Sequence, residues 1–248
     1  MKTLKSLVAS VAFLASAAAF ATPVTLGGES PDLQSIINGL YQSAACPTCS
    51  DVSNAPNVNT NQVSESGQFQ IEASGGSVAT MILEVSANAG TNAFGIYDIY
   101  NPSNYLQLFS GGASSGQQAF LSVTDTFMFS VNFGTGVQFN SSSFGYYIGT
   151  ANGPLFYSQA GLNGGNDQMV AFQGDGDTIK LPSRPAGVWG PSSFILAWED
   201  LPLGSSDSDY QDMVVYVESV TVPEPGSMAL LGLGLAALAG FSRRKQRA

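Results

Sequence analysis

Between residues 68 and 222 the sequence never holds one character for long. Short runs of Val, Ile, Phe, Tyr, Trp and Thr are broken again and again by Gly, Asn and Ser. Such runs suit strands, and the breaks suit turns. The runs fall at 68–73, 78–86, 94–100, 105–109, 119–123, 127–133, 144–149, 155–158, 168–172, 194–198 and 213–222. Alternation is clearest at 127–133, where Phe127, Phe129, Val131 and Phe133 are expected on one face. About eleven short strands with turn signals between them predict an all-β fold, a single β-sandwich or jelly-roll-like domain over 68–222. Ahead of it, 22–67 reads as one helix and a loop. Leu33, Ile36, Ile37, Leu40 and Tyr41 recur at helical spacing within 29–41, and Gly39 weakens the helix. Ser30 is the expected N-cap, with Pro31 in the first helical position and Asp32 in the first turn. Residues 44–67 are polar and turn-forming, and predict a loop.

Composition narrows the setting. Charged residues make up only 10% of the chain, where about a quarter is usual, while 44% hydrophobic content is ample for a core. Gly (28) and aromatic residues (10%) are abundant, as in exported β-rich domains. Of the 8 Lys and Arg, only Lys180 and Arg184 lie away from the two ends, against 18 Asp and Glu. A body so acidic repels nucleic acid and attracts cations.

The two ends read as processing signals. Lys2 and Lys5, the apolar stretch 7–20 and the Ala19-Phe20-Ala21 pattern form a secretory signal peptide over 1–21, with the mature chain starting near Thr22. Such a leader implies Sec export and signal peptidase as partners. At the other end, Val222-Pro223-Glu224-Pro225 precedes an apolar stretch, 226–241, and the basic cluster Arg243, Arg244, Lys245 and Arg247. A helix over 226–241 reaches about 24 Å, a little short of the roughly 30 Å hydrocarbon core. The basic tip is expected to stay cytoplasmic. Residues 222–248 closely resemble the PEP-CTERM sorting signal. That resemblance implies recognition by an exosortase, a transpeptidase-like membrane cysteine protease of Gram-negative bacteria that make extracellular polysaccharide. It also implies transient anchoring through the C-terminal helix before processing.

Sites for chemistry are few. Cys46-Pro-Thr-Cys49 allows a small disulfide, two free thiols or a redox pair; an exported setting favours the disulfide. The chain has no His, which removes the commonest general base and any Ser-His-Asp triad. A Ser–Lys dyad would need Lys180, and nothing around it suggests one. Carboxylate pairs able to hydrolyse glycosides cannot be singled out by spacing. The richest stretch joins the runs at 194–198 and 213–222. Glu199, Asp200, Asp207, Asp209 and Asp212 crowd one turn. A hard cation such as Ca²⁺ takes six to eight oxygens and relieves that repulsion, although the spacing is not that of an EF-hand. A solvated acidic turn with capping Asp side chains is the other reading. Residues 174–177 and 163–167 read as ordinary turns. Trp189, Tyr146 and Tyr147 are candidates for stacking on sugar rings.

The acidic stretch also resembles domain of unknown function 4114, found in exported bacterial proteins including adhesin-like ones. Trp198-Glu199-Asp200-Leu201-Pro202 and Asp207, Asp209, Tyr210 and Asp212 carry the likeness. So do Phe94-Gly-Ile-Tyr-Asp98 with Asn101-Pro102, and 165–169, where Gln168 stands in place of a frequent His. The resemblance spans 94–222 and implies a β-sandwich-type domain with no known catalysis. Together these features predict an exported, non-catalytic protein of the cell surface or extracellular matrix, sorted by an exosortase. The alternatives are a calcium- or polysaccharide-binding adhesin-like module and, last, a glycan hydrolase. Ca²⁺ is the one cofactor the sequence suggests.

Overall fold

The computed structural model describes residues 22–223 apart from 29, 64–65, 73–75, 85–89 and 150–152. The expected signal peptide at 1–21, Glu224, Pro225 and the apolar stretch 226–241 lie outside the described residues. Among those described, no helix is long and apolar enough to cross a membrane.

The fold is mostly β-sheet with one short α-helix. After α1 (Leu33–Leu40) come β1 (Gln42–Ser43), β2 (Cys46–Ser50), β3 (Phe69–Ile71), β4 (Ser77–Glu84), β5 (Ala93–Asp98) and β6 (Asn101–Phe109). Next are β7 (Gln118–Val123), β8 (Met128–Val131), β9 (Val137–Gln138), β10 (Ser143–Gly149) and β11 (Leu155–Tyr157). A 3₁₀ turn (Ala160–Asn163) leads to β12 (Met169–Gln173), β13 (Thr178–Ile179), β14 (Gly187–Val188), β15 (Ser193–Trp198), β16 (Met213–Glu218) and β17 (Val220–Thr221). A six-stranded sheet runs β17-β3-β10-β5-β6 with β11 on β10, and a seven-stranded sheet runs β12-β15-β16-β4-β7-β8-β9.

The two sheets pack face to face. Phe69, Phe94, Phe144 and Tyr146 of the first meet Met169, Phe194, Leu196, Trp198, Val215 and Val217 of the second in one buried cluster. Phe69 lies edge-on to Phe194 (5.8 Å between ring centroids), and Phe94 edge-on to Trp198 (6.2 Å). Such pairs add about 0.5–1.5 kcal/mol each beyond the area they bury.

The other face of the seven-stranded sheet is covered too. Leu33, Ile36, Ile37, Leu40 and Tyr41 pack with Val170, Phe172, Ile179, Trp189, Ile195, Ala197, Val214 and Tyr216 in a second cluster. This double covering explains why every residue of β15 is buried, as is β16 up to Val217. A strand buried on both faces needs an unbroken apolar run. Segment 22–67 is therefore part of the same packed unit.

Local expectations need four corrections. Asp32, not Ser30, caps α1: its Oδ1 accepts the Ser35 N–H at 2.7 Å. A carboxylate accepts that bond more strongly than a hydroxyl and suits the positive helix end. The expected loop 44–67 contains a strand, β2, which pairs with β1 just ahead of it, while Cys46 and Cys49 form the disulfide that the exported setting favours. In 127–133, Phe129 is fully buried and Val131 packs on the core, but Phe127 and Phe133 have φ of 63° and 59°. Those left-handed conformations turn the chain out of the strand, leaving Phe133 82% exposed. Trp189, Tyr146 and Tyr147 are buried, so none of them is open to a sugar ring.

The outer face of the six-stranded sheet carries a tyrosine layer laid over glycines. Tyr97 pairs edge-on with Tyr157 (4.8 Å) and Tyr105 with Tyr147 (5.4 Å). The Tyr97 ring fills the space where Gly145 lacks a Cβ, and Tyr147 does the same at Gly95. Glycine in a strand is here the condition for close ring approach. Gly145→Ala is expected to cost about 1–3 kcal/mol through overpacking. Gly39→Ala, in α1 with open space around it, is expected to gain about 0.5–1 kcal/mol. Urea melts of the two variants should move in opposite directions; a neutral Gly145→Ala would refute the tyrosine-on-glycine account.

Candidate metal centre

The acidic residues stand where β15 ends and β16 begins. The Trp198–Met213 pairing closes the sheet there, so the turn between them springs from a rigid base. Pro202 starts it: its carbonyl accepts the N–H groups of Ser205 (2.7 Å) and Ser206 (3.1 Å). Ser208 and Tyr210 hold φ of 60° and 55°. Left-handed backbone at a non-glycine residue persists where its surroundings enforce it. Here they do: Tyr210 is fully buried, its N–H donates to Glu199 Oε1 (2.6 Å) and its hydroxyl to the Asp167 carbonyl (2.6 Å).

Gln168, the residue ahead of β12, braces the same turn. Its amide donates to the Leu201 carbonyl (2.6 Å) and accepts from the Leu203 N–H (3.2 Å), while its own carbonyl takes the Glu199 N–H (3.1 Å). One amide thus donates and accepts at once at any pH, whereas an imidazole loses its acceptor when protonated.

Glu199, Asp207 and Asp209 bring carboxylate oxygens within 4.8 Å of one another. Glu199 is wholly buried, Asp209 is 3% exposed and Asp207 faces solvent. Glu199 Oε2 has no hydrogen-bond partner among the described residues. Burial raises the Glu199 pKa most, and the Asp209 and Asp207 charges add to it, against the Ser206 hydroxyl and the Tyr210 N–H. Asp209 is oriented by Gln211, whose N–H and amide donate to it at 3.3 and 2.6 Å. That leaves Gln211 Oε1 buried and unpaired.

Asp200 and Asp212 lie beside this triad. The Asp200 N–H donates to Asp212 Oδ2 (2.8 Å), and Asn92 donates to Asp200 Oδ2 (2.8 Å). Burial pushes Asp212 up to about 8, aided by the charges of Asp200, Glu199 and Asp209. Glu84, at the end of β4, is also raised by burial and by the Asp200 charge. Gln211 lies within the turn, and Gln168 falls in a segment that shares the family likeness, but Asn92 and Glu84 have no sequence signal that ties them to the turn. The end of β4, the β4–β5 connection and the residue ahead of β12 bring Glu84, Asn92 and Gln168 there.

Other acidic stretches differ. Asp177 accepts from Asn54 (3.1 Å), and Asn163 closes a local loop with the Tyr157 N–H and carbonyl (2.9 and 2.7 Å). The triad supplies anionic oxygens of mixed burial, a donor set suited to a hard divalent cation.

Without a cation, the raised carboxyl groups make the folded state bind more protons than the unfolded chain between about pH 4 and 8. Stability must then fall as pH rises through that window. Calorimetric melting in chelator should show Tm dropping from pH 5 to pH 8, with a flatter profile in Asp212→Asn. An unchanged slope in that variant would count against the coupling.

Residues 221–245 match the family described as the PEP-CTERM protein-sorting motif. Residues 127–220 match the domain of unknown function DUF4114, a span that includes the whole acidic turn and begins later than the resemblance from residue 94 suggests. No curated protein and no solved structure matches the chain. The sorting motif implies an exported protein of a Gram-negative bacterium, recognised by an exosortase. The chain thus carries a PEP-CTERM sorting motif directly behind a stretch of DUF4114 that holds the acidic turn.

Proposed function

We propose that this protein is a non-catalytic component of the cell surface or extracellular matrix whose β-sheet domain binds Ca²⁺ at the Glu199–Asp207–Asp209 turn. The carrying observation is Glu199: a fully buried carboxylate with one unpaired oxygen, beside two more carboxylates. An ionised carboxylate so placed is costly unless a counter-charge joins it. A cation of modest affinity at 100 times its Kd would stabilise the fold by about 2.7 kcal/mol. For a domain of this size that is about 5–11 °C in Tm. The missing His supports a binding rather than a catalytic role.

The geometry at the C-terminal end suits handling by an exosortase. Val220 is fully buried, Thr221 pairs with Gln70, and Val222 packs on the core, so the folded domain reaches the first residue of the motif. Cutting beyond it would leave both clusters whole.

Titration calorimetry with Ca²⁺ on the chain from Thr22 to Ala248 in mild detergent tests the site. Saturable heat and a raised Tm are expected, both lost in Asp207→Asn/Asp209→Asn. No heat and no rise in Tm in the unaltered chain would end the calcium reading. In cells, removal of 222–248 should abolish the C-terminal mass loss seen by intact-protein mass spectrometry and change where the protein resides. Unchanged residence would refute a sorting role for that segment.

A further inference from the structure

The first described residue, Thr22, is held more tightly than a loose chain end requires. Gln62 clamps its backbone from both sides: Oε1 accepts the Thr22 N–H (2.8 Å) and Nε2 donates to the Thr22 carbonyl (2.7 Å). The Thr22 hydroxyl donates to Asp167 Oδ2 (2.8 Å). Two residues on, Asn59 repeats the clamp at Val24, accepting its N–H (2.7 Å) and donating to its carbonyl (3.1 Å). The Thr25 N–H then donates to the Ser208 carbonyl (2.8 Å), between Asp207 and Asp209. Val24 itself is buried in the second cluster. Residues 22–25 form a strap across the acidic turn.

Thr22 is also the residue that follows the Ala19-Phe20-Ala21 cleavage pattern. We infer that removal of the signal peptide creates a binding partner for Asp167: the new α-ammonium of Thr22 pairs with the Asp167 carboxylate and locks the strap. Hydrolysis by signal peptidase breaks the Ala21–Thr22 amide. Water supplies OH to the Ala21 carbonyl carbon and H to the Thr22 nitrogen. The amine then takes a proton from solvent, being an α-amino group of ordinary pKa near 8.

The nitrogen keeps its bond to Gln62 and gains two further N–H donors. Oγ1 of the same residue touches Asp167 Oδ2 at 2.8 Å, which sets the carboxylate next to the residue that would carry the new charge. Among the described residues no cation pairs with Asp167: the one ion pair there is Arg184–Glu218, elsewhere on the fold. Before cleavage the same nitrogen is a neutral amide, so the full attraction arises only on maturation. Burial raises the Asp167 pKa, against the Thr22 hydroxyl and the Met169 N–H, which fits a carboxylate awaiting a counter-charge.

The lock does not depend on a bound cation, so it is tested in chelator. Chains starting at Thr22 and running to Ala248 are prepared in mild detergent with a free or an acetylated α-amino group, each with Asp167 and with Asp167→Asn. The free amine should melt about 2–4 °C above the acetylated form, and Asp167→Asn should erase the difference. Equal melting of the free and acetylated chains overturns the lock, as does a difference that survives in Asp167→Asn. If Asp167→Asn does not fold, the free-against-acetyl comparison decides alone, with 0.5 M salt expected to narrow the gap. N-terminal sequencing of the exported protein must give Thr22 first; any other start also overturns it.

Discussion

The structure depends on one wall, the β15–β16 pair, buried on both faces. One side of it carries Phe194, Leu196, Trp198, Met213, Val215 and Val217 into the cluster shared with the six-stranded sheet. The other side carries Ile195, Ala197, Val214 and Tyr216 into the cluster under α1 and Trp189. Side chains of this kind are worth roughly 1.5–3 kcal/mol each when removed from water. Because side chains of the β15–β16 pair alternate between the two clusters, the helix and the outer sheet are coupled through it.

That wall explains why the acidic turn can exist. Crowding carboxylates costs electrostatic energy, and a loose loop would relieve it by spreading them into water. Here the turn is fixed at its base by the Trp198–Met213 pairing and across its middle by Gln168 and Tyr210. Glu199 cannot leave, because its own N–H and its Oε1 are both used in holding the turn. Rigid packing thus converts sequence proximity of acids into a standing electrostatic deficit, with the pKa values of Glu199 and Asp212 both driven upward. A proton relieves that deficit in acid, and a bound divalent cation would relieve it at neutral pH.

Much of this was legible in the residues alone. Most long strands have an apolar or alternating run behind them, although β6 extends four residues ahead of its run, over 101–104, and the apolar stripe of α1 names its buried face correctly. What failed was local. Ser30 and Asp32 are both competent caps on either side of Pro31, and only the packed helix shows which one is used. Phe127 and Phe133 fit the period of two, yet their backbone leaves the strand region at each end. Two-residue strands such as β9, β13 and β14 have no periodicity to detect and exist through their neighbours. The triad was visible because Glu199, Asp207 and Asp209 share one turn. Asn92, Glu84 and Gln168 reach it only through sheet pairing and packing, which spacing along the chain does not encode.

The ends of the folded unit carry a further consequence of the same economy. Chain termini are usually the least ordered part of a domain. Here Thr22–Thr25 is stitched to Gln62, Asn59, Asp167 and Ser208, while Val220 and Thr221 complete the six-stranded sheet at its edge. The expected signal-peptide cleavage point and the first residues of the sorting motif therefore both adjoin packed structure. With only Lys180 and Arg184 away from its ends, the chain would gain a new positive charge from a cut before Thr22 and would lose the basic cluster 243–247 from a cut in the sorting motif. Maturation of that kind would change the electrostatics of an acidic domain as well as its address, because the strap that would receive the new charge is bonded to the acidic turn through Thr25 and Ser208.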